Sequence, residues 1–171
     1  MIYILSMNSY CLAPKSLNPN ILPVERSAGI ILFRDIPDGR RYLVIRSSYH
    51  GKDGKHNFWD FPKGLLESKE PTLDAAKREA KEEVGISEFE IIPNFKETVQ
   101  YFIRRDRDKK ATLKFVALFL AEAKSNGVTL SWEHDAYEWL SFEEARERIS
   151  MPPMKKALEK AEAYLAPQEK L

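Results

Sequence analysis

The chain has almost no cysteine, no long apolar run and no excess of charge of either sign. Cys11 is the single thiol, which leaves no internal disulfide and points to a reducing compartment. The longest unbroken apolar run, residues 115–121, falls far short of the roughly 18 residues a membrane helix needs and reads as a buried strand. The opening MIYILSMNSY has no basic leader and too short an apolar stretch for a signal peptide, so the expected location is the cytoplasm. Lys plus Arg number 27 against 26 Asp plus Glu, a formal net charge of +1. Nothing therefore draws the whole molecule toward nucleic acid or an anionic membrane, and any charge chemistry must be local. Internal repeats and low-complexity tracts are absent as well.

What is present is 171 residues, 43% hydrophobic and 31% charged, the make-up of one folded domain large enough to bury its own core. Residues 1–26 hold Pro14, Pro19 and Pro23 with little periodicity and read as an N-terminal arm; the domain proper is expected over residues 27–171. GIILF at 29–33 and RYLVIR at 41–46 predict a hairpin turning at Asp38-Gly39. After a polar loop and the segment WDFPKG, Pro71 and Gly85 bracket a helix whose Leu73, Ala76, Ala80 and Val84 form one apolar stripe. Strands are expected at 89–104, 112–121 and 136–140. A helix opened by the Ser141/Glu144 capping box and a last helix over 153–165 follow. This order predicts an α/β (α+β) fold with helices on both faces of a sheet.

The helix after Gly64 carries the chemistry. Glu79, Glu82 and Glu83 stand at i, i+3 and i+4 and share one face about 100° wide. Like charges so spaced cost a purely structural helix stability, whereas a hard divalent cation such as magnesium, which takes oxygen ligands together with substrate phosphates, reverses the sign. Arg78 beside them can hold a carboxylate in place. From Gly64 the chain reads G-x5-E-x7-R-E-A-x-E-E-V-G-I, through Glu70, Arg78, Glu79, Ala80, Glu82, Glu83, Val84, Gly85 and Ile86. This resembles the box of the Nudix hydrolases with every defining position filled. The resemblance implies an α/β/α sandwich with a mixed β-sheet and a divalent metal, Mg2+ or Mn2+. It implies hydrolysis of a diphosphate linkage, with Glu79, Glu83, Glu82 and the Gly64 carbonyl around the metal, Arg78 orienting Glu79, and Glu70 supporting the loop.

The flanks are similar to the asymmetrical diadenosine tetraphosphate hydrolases within that family. They supply Trp59-x-x-Pro62-Lys63-Gly64, Phe95-Lys96-Glu97, the pair Tyr101 and Arg104, Glu133-His134-x-x-Tyr137-x-Trp139-Leu140, and the ending MKKALEKAEAYL. Phe58 and Leu65 depart from that pattern, standing where histidine is common. The implied reaction yields ATP and AMP from a small-molecule dinucleoside polyphosphate, in a monomer or weak dimer with no membrane or nucleic-acid partner. A polyanionic substrate asks for cations, and Lys63, Arg46 and Arg104 are the candidates. Adenine asks for aromatic platforms. The resemblance offers Tyr101 and Tyr164, with Trp59 and Tyr137 behind them. The base on the attacking water is Glu133 or Glu82, a choice the sequence leaves open. Two rivals stand beside this reading: removal of pyrophosphate from RNA 5′ ends, where glutamine rather than Lys63 is expected, and a Nudix-fold module that senses dinucleotides without cutting them, which should have lost box carboxylates.

Overall fold

The computed structural model describes residues 2–3, 23–49, 57–105 and 111–167. Most of the proline-bearing arm and residues 106–110 of the basic segment lie outside the described residues. The elements in chain order are β1 (Ile2–Tyr3), β2 (Val24–Ile36), β3 (Gly39–Ser47), β4 (Trp59–Asp60), β5 (Lys63–Leu65), α1 (Thr72–Val84), β6 (Phe89–Arg105), β7 (Ala111–Ala123), β8 (His134–Leu140), α2 (Phe142–Arg148) and α3 (Pro152–Leu165). Among the described residues no helix is long and apolar enough to cross a membrane.

The strands form one mixed sheet in the order β1-β6-β7-β2-β3-β4, with β5 also on β2 and β8 also on β3. Among the described strands only β2 and β7 run parallel, over Val24↔Leu113 to Phe33↔Glu122. β7 gives Val116, Leu118 and Leu120 to one core and Ala117, Phe119 and Ala121 to the other, which is why it is apolar on both faces. The β2–β3 hairpin turns one residue earlier than expected, at Pro37-Asp38, because Gly39 already pairs with Ile36 and itself takes the positive φ of 106°. Past Phe33 the two strands separate. WDFPKG fills the split, β4 pairing with β3 and β5 with β2. Gly29 makes this possible, since a Cβ there would lie 2.4 Å from the Pro62 carbonyl oxygen.

The second departure is in β6, whose register shifts between Ile91 and Lys96 with Asn94 at φ 61°. The Pro93-Asn94 pair is the cause: proline cannot donate to a sheet ladder, and asparagine tolerates the left-handed region. β8 begins two residues earlier than its apolar run, because His134 pairs with Ser47.

Two cores lie on opposite faces. On one, α1 packs Ala75, Ala76, Ala80 and Val84 against Ala28, Ile30 and Leu32 of β2. The alanines let the helix axis approach the sheet closely. On the other face, α2 and α3 bury Ala145, Met154, Ala157, Leu158 and Ala161 against Val99, Tyr101, Val116 and Leu118. Gly85 ends α1 in the left-handed conformation at φ 70°. The following loop returns to its last turn: the Thr129 amide donates to the Val84 carbonyl at 2.9 Å and the Ser131 amide to the Glu83 carbonyl at 3.0 Å. This is the α/β/α sandwich that the resemblance implied, with helices on both faces of the sheet as the element order predicted.

Candidate active site

Close approach of α1 to the sheet carries its carboxylates down onto β5. Glu79 and Glu83 are each only 9% exposed. The Glu79 carboxylate lies directly on Gly64: a Cβ at that position would sit 2.0 Å from Glu79 Cδ, so glycine here is a requirement of contact. One turn on, Glu83 Oε2 accepts a hydrogen bond from the Lys63 amide at 2.8 Å. Burial, opposed only in part by Lys63, pushes the Glu83 carboxyl up to about 8, with the Glu79 and Glu133 charges adding to it. Glu79 is raised too, chiefly by burial against the pull of Arg78. Both shifts mean that negative charge is held here at a cost.

The face does not converge as one cluster. Arg78 acts as a fork for three acids. Its Nε and Nη2 donate to Glu70 at 3.0 Å each, and its Nη1 donates to Glu79 at 2.7 Å and to Glu82 at 3.0 Å. Nη2 also donates to the Leu65 carbonyl at 3.0 Å. Glu70 thus braces the loop through the guanidinium, and Glu82, at the exposed rim, is held by Arg78. Among the described residues no three acidic, histidine or cysteine side chains already form a coordination set. The donors nevertheless suit a hard cation. They are all oxygen, two of the carboxylates are buried at a desolvation cost that a cation would offset, and the bare Gly64 Cα cradles one of them.

Glu133 and Trp132 occupy the centre of a tight turn closed by the His134 amide donating to the Ser131 carbonyl at 3.1 Å. From there the Glu133 charge reaches both Glu79 and Glu83. His134 Nε2 stands 3.9 Å from Glu83 Oε1. Burial and then the Lys63 charge drop its imidazole to about 4, so at neutral pH this is a contact with a neutral ring and not an ion pair.

The cations and aromatics sit differently from the expectation. Lys63 points inward, its Nζ 3.0 Å from Asp60 Oδ2, because Asp60 is itself buried and needs a counter-charge. Burial lowers the Lys63 ammonium, yet Asp60, Tyr101 and Glu83 together raise it above its usual range. Arg46 likewise has a carboxylate, Asp135 Oδ1 at 2.7 Å, and stacks over Trp59. Arg104 is in β6 opposite Ala111, and its side chain lies outside the described residues. Tyr101 is 5% exposed within the α2/α3 core, so it forms wall and offers no open ring face. Trp59 is buried in the same core. Of the four candidate platforms Tyr164 and Tyr137 are the open ones, at 43% and 41%; the Tyr164 hydroxyl donates to the Pro93 carbonyl at 2.8 Å and its ring meets Phe95 edge-on. Sequence reasoning passed over Asp60, although an acid inside an otherwise apolar W-D-F-P run is the signal of a buried partner for the lysine three residues on.

A buried acidic helix face over a bare glycine, braced by one arginine, on a sandwich of this topology defines the class. The NUDIX domain family matches residues 23–163, and the chain belongs to it: it is a Nudix hydrolase. The mouse (Mus musculus) bis(5′-nucleosyl)-tetraphosphatase (asymmetrical) is 35% identical over 146 residues, covering 82% of this chain and 95% of that protein. The RNA pyrophosphohydrolase of Bartonella henselae is 35% identical over 88 residues, covering 50% of this chain and 49% of its own. In three dimensions the chain is similar to the Caenorhabditis elegans Ap4A hydrolase in a binary complex, with a TM-score of 0.70 at 28% identity over 83% of this chain and 98% of that one.

Proposed function

We propose that this hydrolase cuts diadenosine tetraphosphate asymmetrically into ATP and AMP, water attacking a polyphosphate phosphorus. The observation that carries the reading is the pair of buried carboxylates, Glu79 packed on Gly64 and Glu83 on the Lys63 amide, with the Glu133 charge acting on both. The similarity to the mouse and C. elegans proteins over more than four fifths of the chain gives the substrate class.

In this reading Glu79, Glu83, Glu82 and the Gly64 carbonyl hold a divalent cation, magnesium or manganese. When bound it would supply charge neutralisation and polarise a phosphoryl oxygen. Arg78 keeps Glu79 and Glu82 placed. Of the two candidate bases, Glu133 is favoured, because Glu82 already accepts from Arg78 whereas Glu133 sits on a pinned turn from which its charge acts on both buried carboxylates. Arg46 and Arg104 hold phosphates, Arg46 by exchanging Asp135 for phosphate oxygens, while Lys63 stays on the buried Asp60 and lends its positive charge to the phosphate site from there. Tyr164 is the adenine platform, and Tyr101 backs the wall of the pocket. The single cysteine and near-zero net charge suit a cytoplasmic enzyme acting on a small dinucleotide.

Hydrolysis in oxygen-18 water with magnesium tests this. ATP and AMP as sole products, with label in one of them and no turnover in chelator, are expected. Two ADP, or preference for triphosphorylated RNA under the same conditions, would overturn it in favour of the symmetrical cut or the RNA reaction.

A further inference from the structure

Trp132 is 85% exposed, far more than any other large apolar side chain described. Tryptophan carries a large apolar area and is usually mostly buried, so an indole left in water needs a reason. Its backbone is not loose. The Ser131 amide is tied to the Glu83 carbonyl at 3.0 Å, the Glu133 carbonyl accepts from the Ser48 amide at 2.8 Å, and the His134 amide closes the turn on Ser131. Hydrogen bonds on both sides thus fix where the ring is displayed, while nothing in either hydrophobic core uses it. That place is the rim of the acidic centre, one residue from Glu133 and two from His134.

We propose that Trp132 is a platform for one nucleobase of the substrate, a subsite separate from Tyr164 on α3. The inference rests on the dinucleotide reading above. The occupant follows from the surroundings. Ser131, Glu133 and Asp135 are its polar neighbours along the chain, and the other exposed large apolar side chains among the described residues, Val24, Leu65, Tyr137 and Tyr164, come from separate segments, so the turn presents a single π-face and no apolar run of the kind a protein partner would need. A flat, uncharged ring tethered by phosphates to the adjoining centre fits both the face and its position. A dinucleotide has two bases; Tyr164 on α3, Tyr137 on β8 and Trp132 on the turn beside α1 are the exposed aromatics among the described residues, and Trp132, at 85% and next to Glu133, offers the most open face.

Trp132→Ala and Trp132→Phe change an exposed side chain and leave both cores intact. The expected result is a KM for diadenosine tetraphosphate raised roughly tenfold in W132A, with kcat within about twofold, and most of the loss restored in W132F. Inorganic tetraphosphate, which has phosphates and no base, should inhibit wild type and W132A equally. An unchanged KM, failure of phenylalanine to rescue, or equal weakening of inorganic tetraphosphate would overturn the proposal. If wild type does not hydrolyse the dinucleotide at all, the functional reading fails, and a second measurement decides Trp132 independently. Indole fluorescence is titrated with AMP in chelator, using W132F as the blank: quenching lost in W132F supports the base platform, and no quenching in wild type sinks it.

Discussion

At the start of α2, Glu144 accepts a hydrogen bond from the Ser141 amide at 2.9 Å and its own amide donates to Ser141 Oγ at 3.3 Å. That backbone bond, then the Ser141 hydroxyl, hold its carboxyl below the usual range. At the end of α1, Glu83 is buried and pushed up to about 8. One acid gains from being charged where the fold puts it, and the other loses. Capping spends carboxylate charge on the fold itself, whereas the α1 face holds charge that the fold alone does not reward. The helix that breaks the stability rule is the one whose other positions are spelled by a 23-residue motif.

The largest effect should come from taking the charge off Glu83. Glu83→Gln keeps the acceptor for the Lys63 amide and is expected to lower kcat roughly a thousandfold, the loss of about 4 kcal/mol of transition-state stabilisation, in steady-state assays with magnesium. Circular dichroism should show an unchanged fold. Near-wild-type turnover would remove Glu83 from the chemistry and leave the comparison with Glu144 without its functional half. Next in size is Gly64→Ala. The new Cβ must displace the Glu79 carboxylate, which can swing aside without disturbing the backbone, so the fold should survive while kcat/KM falls about a hundredfold.

Much of this contrast was legible in the residues. Pro71, Gly85 and the alanine stripe gave α1, Ser141 and Glu144 gave the box that opens α2, and the Glu spacing gave the acidic face. What stayed hidden is whatever depends on contacts between distant segments. The split between β2 and β3 that admits WDFPKG cannot be read from either strand alone. Nor can the inward turn of Lys63, which answers a buried Asp60, or the sharing of Arg78 among three acids, which ties Glu82 to the guanidinium. Tyr101 and Tyr164 look equivalent as aromatic residues. Only the side of β6 on which α3 packs makes one of them wall and leaves the other open. The Pro93-Asn94 bulge was signalled locally and still fell inside what read as one continuous strand.

The third prediction concerns pH and needs no substrate. Glu83 in the folded, metal-free protein binds its proton more tightly than an unfolded carboxylate with a pKa near 4.5. Stability from this group is therefore fully present below about 4.5, is lost as pH rises toward about 8, and is flat beyond. Glu144, with a lowered value, has the opposite sign, its contribution disappearing only on acidification. In chelator, Glu83→Gln should match wild type in Tm near pH 5 and exceed it increasingly up to pH 8, by about 2–4 °C for each kcal/mol relieved. Magnesium at pH 8 should raise the wild-type Tm and leave the variant's unmoved. A variant less stable than wild type at pH 8 in chelator would show that Glu83 serves the fold after all.

The smallest effect tests the other half of the comparison. Ser141→Ala removes the side-chain acceptor of the Glu144 amide and the hydroxyl that donates to Glu144 Oε2 at 2.8 Å, so α2 loses its reciprocal cap. The cost should be about 1 kcal/mol of global stability in urea unfolding, with no change in the slope against denaturant. Because α2 packs on the face of the sheet opposite α1, and neither Ser141 nor Glu144 touches Glu79, Glu83 or Arg78, kcat and KM should stay at wild-type values. A variant that loses turnover in proportion to stability would mean that the α2 side of the sheet tunes the acidic face through β3 and β8, and that the two carboxylates are coupled through the sheet that separates them.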